Sequence, residues 1–179
     1  MSSTKFSIAA AVLCLAASVA DAQYCAFSSS FPCGGNEYIS LVTIGAFSNA
    51  SGCSATGYQD FTAQTVTLLP NVPTPVTVSV SAWFSATDRV TVFADWNGNT
   101  ILNDVGEAFT LTQGASGNPV TYSGTITAPA GAVSTSRLRV VLDYGTPVPC
   151  GPISFGEGED YTLNVGVPTG LVGIGAGSP

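Results

Sequence analysis

Oxygen-bearing side chains are concentrated in one short stretch of this sequence, residues 94–109. They are Asp95, Asn97, Asn99, Asn103, Asp104 and Glu107. Calcium takes about six to eight oxygen ligands from carboxylates, amides, backbone carbonyls and water. Three carboxylates in so short a loop would also repel one another without a counter-ion. The spacing therefore predicts a calcium site with the ligands Asp95, Asn97, Asn99, Ile101, Asp104 and Glu107, in which Ile101 contributes its backbone carbonyl.

The loop departs from the EF-hand calcium loop at two positions. If Asp95 is the first position, Thr100 stands where an EF-hand has glycine, and Glu107 falls one place beyond the usual final glutamate. A calcium loop of another type fits this spacing. The alternative is a polar hairpin turn without metal, because Asn, Asp and Gly also favour turns for backbone reasons.

A second acidic cluster lies near the end of the chain, in the segment SFGEGEDYTLNV. In an extended strand, Glu157 and Glu159 share one face and Asp160 takes the other. Arg137 and Arg139 are two residues apart and also project from one face of their strand. We expect these arginines to pair with Glu157 or Glu159 across neighbouring strands. A second metal shell around the same carboxylates is the alternative.

Few of the residue types used in common catalytic sites are available. The sequence has no histidine, and its one lysine, Lys5, lies in the segment 1–22 that is expected to be removed as a signal peptide. Ser-His-Asp and Cys-His catalysis, imidazole zinc sites and Schiff-base chemistry are therefore excluded. A glycoside hydrolase needs only two carboxylates. Because the acids fall in the two clusters already explained, we expect no enzymatic activity, and glycoside hydrolysis is the least favoured alternative.

Residues 1–22 have the pattern of a signal peptide. Lys5 precedes an apolar run that ends at Val19, and small residues flank a cleavage point before Gln23. The run is too short to span a membrane, so we expect a secreted, extracellular protein without a membrane span. The remaining cysteines are Cys25, Cys33, Cys53 and Cys150, an even set that predicts two disulfides with three alternative pairings.

The charge balance is acidic, with a net charge of −7. Removal of Lys5 and Asp21 with the signal peptide leaves that value unchanged. The basic residues that remain are Arg89, Arg137 and Arg139. Nucleic acid is excluded as a partner because phosphate binding needs clustered Lys and Arg. A cation or a neutral glycan suits this charge better.

Short alternating segments predict an all-β fold. In residues 75–84, for example, valines alternate with Thr and Ser, which is typical of a strand with one buried face. The other predicted strands are 37–47, 64–69, 89–95, 108–112, 119–128, 137–144 and 159–165. About eight or nine short strands separated by turns indicate an antiparallel β-sandwich stapled by disulfides. Residues 23–36 are predicted to form an irregular arm.

The expected domain organisation has three parts: the signal peptide 1–22, one β-sandwich domain over 23–166 and a Gly-rich apolar tail over 167–179. We expect the tail to be disordered or to pair at a sheet edge. Asn49 begins an Asn-Ala-Ser sequon. In a host that glycosylates, Asn49 is predicted to be an exposed glycosylation site, whereas in a bacterial host the sequon carries no meaning.

Several motifs together resemble the GEVED domain, a β-sandwich module of secreted bacterial proteins. They are Tyr24-Cys25, the strand EYISLVTIG, the segment GYQDFT, the loop DWNGNTILNDVGE, the turn APAG, the strand RLRV and the ending PCGPISFGEGEDYTLNV. Gly158 replaces the central Val of the name-giving motif, which is expected to loosen strand packing. Thr100-Ile101 replaces the usual Gly-Asp of the loop and puts one metal ligand in question.

The resemblance also implies a disulfide pairing. The family pattern of an early Tyr-Cys and a late Pro-Cys implies a bridge between Cys25 and Cys150, which leaves Cys33 with Cys53.

The expected function is that of a secreted, non-catalytic, calcium-stabilised module that binds glycan or protein, or mediates adhesion, at the extracellular surface or matrix. Trp83, Trp96 and Tyr58 are candidate stacking platforms for a ligand. The alternative is a structural subunit that self-associates into a filament or layer by strand addition.

Overall fold

The structure, a computed structural model, describes residues 23–32 and 36–166. The predicted signal peptide, Cys33 and the predicted tail 167–179 lie outside the described residues. Within the described part the fold is all-β, as predicted, and contains no helix.

The described residues form eleven strands. They are β1 Phe27–Phe31, β2 Tyr38–Ile44, β3 Phe47–Ala50, β4 Tyr58–Leu68, β5 Thr74–Ser81, β6 Asp88–Ala94, β7 Ala108–Thr110, β8 Thr112–Gln113, β9 Val120–Ile126, β10 Thr135–Tyr144 and β11 Gly151–Val165.

The strand count exceeds the predicted eight or nine because three segments contain more structure than their patterns indicated. The arm predicted to be irregular contains β1. The predicted strand 37–47 is interrupted by a turn at Gly45, whose φ of 57° is a left-handed conformation that glycine adopts without strain. The predicted strand 108–112 is divided into β7 and β8.

The strands form two sheets. The first has the order β1-β11-β10-β6-β7, with β4 also paired to β11, and the second has the order β3-β2-β5-β9-β8. Most pairs are antiparallel, but β1 and β4 each run parallel to β11. The predicted all-β class is confirmed, and these two parallel pairs depart from the antiparallel pairing that was expected. Strand β11 has 15 residues, so its first part can pair with β1 and its second part with β10 and β4.

The main core lies between the two sheets. Alternate residues of β6 and β10, such as Val92 and Val140, are buried against residues of the second sheet, such as Val78 and Tyr122. A smaller cluster lies on the outer face of the first sheet, where Phe27, Phe93, Leu102, Val141 and Ile153 pack together. The arm before β1 and the acidic loop after β6 therefore cover part of that outer face.

A disulfide joins Cys25 to Cys150, as the family resemblance implied. It closes a span of 125 residues, and by loop-closure entropy a bridge of this length contributes about 5 kcal/mol to the free energy of unfolding. Cys53 is also disulfide-bonded. Its predicted partner, Cys33, lies outside the described residues.

Gly158 packs against an aromatic ring. A Cβ atom at this position would lie 2.6 Å from Cδ1 and Cε1 of Phe27. The expected loosening of strand packing at Gly158 is therefore wrong, because the Phe27 side chain fills the space that a valine would take.

The contact between Phe27 and Gly158 predicts how a larger side chain at Gly158 affects stability. Gly158→Val should lower the free energy of unfolding by about 1–3 kcal/mol, because the new side chain overlaps the Phe27 ring. In a Phe27→Ala background the same change should cost less, since the ring is absent. Urea unfolding of the two single variants and the double variant measures the difference.

Gly131→Val is the matched control, because a Cβ atom there meets nothing within 4 Å. Its effect should stay within about 0.5 kcal/mol. Equal losses from Gly158→Val and Gly131→Val, or strictly additive effects of Gly158→Val and Phe27→Ala, would contradict this account of the packing.

Candidate binding cleft and the acidic loop

The two arginines of β10 pair with Asp160 of β11. Nη1 of Arg137 lies 2.6 Å from Oδ2 of Asp160. Nε and Nη2 of Arg139 donate to the two oxygens of the same carboxylate. The predicted pairing with Glu157 or Glu159 is therefore wrong in its acidic partner, although the arginines do form ion pairs with this acidic cluster.

The register between the strands explains the difference. In the antiparallel pair β10–β11, Arg139 stands opposite Asp160, and Val140 stands opposite Glu159. Directly opposite residues share a face of the sheet. The arginines and Asp160 therefore lie on the outer face, whereas Glu159 and Val140 face the interior of the sandwich. The sequence shows the alternation within each strand but not the register between strands.

The Asp160 cluster also fixes the arm. Asp160 and Arg139 are fully buried. The hydroxyl of Tyr58 donates to Asp160 Oδ2 at 3.0 Å. Nη1 of Arg139 donates to the backbone carbonyls of Cys25 and Pro149, on either side of the disulfide. The Arg139 guanidinium therefore connects the sheet to both segments that the disulfide joins.

Glu157 accepts hydrogen bonds from the second sheet and from the loop that follows it. The backbone N–H of Ile39 donates to Oε2 at 3.0 Å, and the N–H of Ser54 donates to Oε1 at 2.8 Å. Nε2 of Gln59 also donates to Oε1, at 2.9 Å. Desolvation by burial raises the pKa of Glu157, and these donors act in the opposite direction. Glu157 thus ties the sheets together without a cation.

Glu159 lies in the interior between the sheets. The hydroxyls of Ser51 and Tyr161 both donate to its carboxylate. Desolvation raises the pKa of Glu159 to about 7, in spite of these two hydrogen bonds. The name-giving motif of the family therefore places its two glutamates and its aspartate in different environments.

The position of Asn49 does not suit the predicted glycosylation. Its side chain is 8 % exposed. Nδ2 of Asn49 donates to the Tyr161 hydroxyl, and Oδ1 accepts from Nε2 of Gln64. A glycan on Nδ2 would replace a buried hydrogen bond and would need space inside the sandwich. The predicted exposure of Asn49 is therefore wrong for this fold.

The acidic loop is folded around Asp95, which is fully buried. Oδ1 of Asp95 accepts from the backbone N–H groups of Gly98 and Asn99, at 2.7 and 3.3 Å. Oδ2 accepts from the N–H of Thr100 at 3.0 Å and from the hydroxyl of Tyr24 at 2.7 Å. Each oxygen of this carboxylate therefore has two donors.

The other loop acids are also engaged by donors. Oδ2 of Asp104 accepts from the side-chain amides of Asn97 and Asn99, at 2.9 and 2.8 Å, and these bonds lower its pKa. Glu107 is buried and accepts from the backbone N–H groups of Trp96 and Asp104. Desolvation raises the pKa of Glu107.

Calcium fits this loop poorly in the arrangement described. The four donors on Asp95 occupy the lone pairs that a cation would need. Oδ1 of Asn97 and of Asn99 each accept a backbone N–H two residues on. In residues 23–32 and 36–166, no group of three or more His, Cys, Asp or Glu side chains is arranged to hold a metal ion. Calcium binding therefore stays a prediction.

A cleft of about 740 Å³ lies beside the Asp160 cluster on the outer face of the first sheet. It is lined by Gln23, Tyr24, Cys25, Ala26, Phe27, Tyr58, Asp60, Arg137 and Arg139. The guanidinium of Arg137 lies 4.6 Å from the ring centroid of Tyr24, an arrangement typical of a cation–π contact. The side chain of Arg137 is 24 % exposed, so part of its guanidinium faces the cleft.

The three aromatic residues predicted as stacking platforms lie in different environments. Tyr58 lines the cleft. Trp96 is buried in the main core and donates through Nε1 to the carbonyl of Gly106. Trp83 is partly buried and packs against the same core. Tyr58 is therefore the candidate platform that lines the cleft.

Sequence reasoning did not predict Tyr24 and Asp60 as site residues. Both line the cleft, and Tyr24 also connects it to the acidic loop through Asp95. The signal for Tyr24 was its place beside Cys25, because the disulfide holds this arm against the sheet. Asp60 had no signal of its own, since its position depends on the parallel pairing of β4 with β11.

The described residues form an all-β module of two sheets, in which a disulfide holds the arm that lies across one sheet. Residues 89–164 match the GEVED domain family. The protein therefore contains a GEVED domain, which runs from β6 into β11 and includes the acidic loop, both paired arginines and Asp160. No curated protein matches the sequence. Within the described residues there is no helix that could cross a membrane.

The raised pKa of buried Glu159 predicts that the stability of the protein depends on pH. Unfolded Glu159 loses its proton near pH 4.5, whereas the folded group keeps its proton up to about pH 7. The folded state therefore binds more protons between these values, and the free energy of unfolding should fall as the pH rises through this window. A pKa difference of this size corresponds to about 3 kcal/mol.

Glu159→Gln should remove this part of the pH dependence and leave the protein more stable than the parent above pH 7. Urea unfolding across the pH range measures the effect. Asp60→Asn is the control, because hydrogen bonds with Thr62 lower the pKa of this exposed acid. An acid with a lowered pKa cannot make the free energy of unfolding fall as the pH rises. Parallel curves for the parent and Glu159→Gln would contradict the assignment.

The acidic loop predicts that the metal-free protein keeps its fold. Because amide and hydroxyl donors already satisfy Asp95, we expect equal melting temperatures in excess calcium and in excess chelator. Differential scanning calorimetry makes the comparison. A melting temperature that rises with calcium in the parent but not in Asp104→Asn would instead establish the calcium site predicted from the sequence.

Proposed function

We propose that this protein is a secreted, non-catalytic module that binds a neutral extracellular glycan in the cleft beside Asp160. The observation that carries the proposal is the composition of the cleft, where the rings of Tyr24 and Tyr58 stand beside Arg137 and Asp60. Ring faces pack on the C–H faces of a sugar, and the charged groups exchange hydrogen bonds with its hydroxyls. A volume of about 740 Å³ is in the usual range for a small-ligand site.

The polar groups of the cleft are suited to hydroxyls because both a donor and an acceptor are present. Arg137 uses Nη1 for Asp160, and the rest of its guanidinium can donate outward. Asp60 is exposed and accepts from the N–H of Thr62 through Oδ1, so its other oxygen can accept from a ligand. A net charge of −7 favours an uncharged glycan over an acidic one.

The acids of the cleft favour binding over glycoside hydrolysis. Hydrolysis needs one carboxyl group that keeps a proton and a second that is free to act as base or nucleophile. Asp160 is held by two guanidinium groups. The pKa of Asp60 is lowered by its hydrogen bonds with Thr62. Neither acid is suited to donate a proton, which supports a non-catalytic role.

Export supports the same proposal. A disulfide between distant residues such as Cys25 and Cys150 is typical of proteins that fold in an oxidising compartment. The signal-peptide pattern of residues 1–22 agrees with that compartment. An extracellular module would meet glycans of a cell surface or matrix.

Retention on a panel of insoluble neutral polysaccharides tests the proposal. Asp60→Asn and Arg137→Gln should each weaken binding to the retained polysaccharide by about tenfold, the usual loss for a hydrogen bond to a charged group. Arg89→Gln is the matched control, because Arg89 is an exposed arginine that donates to the carbonyls of Ala86 and Asp88 and is not part of the cleft.

Two outcomes would contradict the proposal. One is retention that the cleft variants and Arg89→Gln change equally. The other is no retention on any polysaccharide together with a mass, measured by light scattering, that increases with protein concentration. The second outcome would favour the structural subunit that self-associates by strand addition.

A further inference from the structure

A second cavity lies at the other end of β10 from the cleft and has a different lining. It has a volume of about 440 Å³ and is lined by Asn36, Glu37, Phe84, Tyr144 and Phe155. Arg137, near the start of β10, lines the first cleft, whereas Tyr144 ends the strand. The two cavities are therefore separate sites.

Aromatic rings form most of this second cavity. The ring of Phe84 is 81 % exposed and that of Tyr144 is 50 % exposed. Tyr144 meets Phe155 edge to face at 6.3 Å between centroids, and Phe31 stacks on Phe155 at 5.0 Å. The rings are held by one another and leave open faces. Exposed apolar patches of this kind are often ligand or partner sites.

Three buried carboxylates lie at this end of the sandwich. They belong to Glu37, Asp88 and Asp143. Glu37 lines the cavity. Asp88 stands directly opposite Tyr144 in the β6–β10 pair, so the two side chains share a face of the sheet. Asp143 precedes Tyr144 in the same strand. Glu37 is therefore the acid of the lining, whereas Asp88 lies on the same sheet face as Tyr144 and Asp143 projects from the opposite face.

None of these acids forms a salt bridge within the described residues, although the charge of Arg89 acts to lower the pKa of Asp88. The ion pairs found there both involve Asp160. Arg89 lies next to Asp88, but its Nη1 donates to the backbone carbonyls of Ala86 and Asp88. Burial raises the pKa of all three acids, that of Asp143 to about 6, and the charge of Asp88 raises the pKa of Glu37 and Asp143 further.

Asp88 contains a carboxylate oxygen that accepts no hydrogen bond from the described residues. Oδ2 of Asp88 accepts from the N–H of Ser85 at 3.1 Å, whereas Oδ1 is buried and accepts no hydrogen bond. Buried polar atoms are nearly always paired, so an unpaired carboxylate oxygen points to a missing donor or cation. The Tyr122 hydroxyl, which is close by, donates to the carbonyl of Asp88 instead.

From this geometry we infer that the second cavity binds a small organic ammonium cation. Open ring faces attract an ammonium group, and the carboxylates behind them supply the opposite charge. A bare metal ion suits the cavity less well, because its lining is aromatic and the three acids are not grouped as metal ligands. The cation would sit between the rings of Phe84 and Tyr144 and the carboxylate of Glu37.

Titration with butylammonium and with neutral 1-butanol tests this inference on the intact protein, by isothermal titration calorimetry. The cation should bind saturably and the alcohol should not, because the two differ in charge at similar shape. Phe84→Ala should weaken the binding by about two- to fivefold, as expected for an exposed cation–π contact. Glu37→Gln should weaken it by about tenfold or more.

Val72→Ala is the matched control, since Val72 is also an exposed apolar residue but does not line the cavity. Phe84 is exposed, so its replacement should not affect folding, which a melting curve verifies. Equal binding of butylammonium and butanol would overturn the inference. So would a dimer, seen by sedimentation, that Phe84→Ala dissolves and butylammonium does not compete with, because a second copy would then cover the rings.

Discussion

The outer face of the first sheet depends on the charge pairing of Asp160 with Arg137 and Arg139. The carboxylate and Arg139 are buried, so each would be unfavourable without the other. Because Arg139 also donates to the carbonyls of Cys25 and Pro149, the same group positions the arm and the disulfide. The arm in turn brings its aromatic side chains over the sheet and forms one wall of the cleft. The shape of the cleft is thus a consequence of how one buried aspartate is neutralised.

The buried acids of the described residues show three kinds of environment. Asp160 has guanidinium partners. Asp95 and Glu157 have backbone and side-chain donors, which spread the opposite charge over several dipoles. Asp88 keeps an unpaired oxygen. The first two arrangements explain how neighbouring carboxylates are accommodated, whereas the third leaves Asp88 incompletely satisfied.

The two cavities differ in chemistry because they lie at opposite ends of β10. At the Arg137 end, cationic and anionic groups stand together beside tyrosines, which suits hydroxyl-bearing ligands. At the Tyr144 end, three rings are accompanied by Glu37 and Asn36 and by no cationic residue of the lining, which suits a cation. The sandwich core between them is apolar and closely packed. The described module therefore has two cavities with different linings.

The sequence by itself determined the all-β class, the Cys25–Cys150 bridge through the family resemblance, and the presence of an acid–arginine cluster. These follow from alternation along single strands and from motifs that are local in the chain. Only the tertiary structure decided that Asp160 rather than Glu159 meets the arginines, that Phe27 fills the space at Gly158, and that Asn49 is buried. The physical reason is register: alternation fixes which side chains share a face of one strand, whereas contacts across strands depend on how far each strand slides along its neighbour.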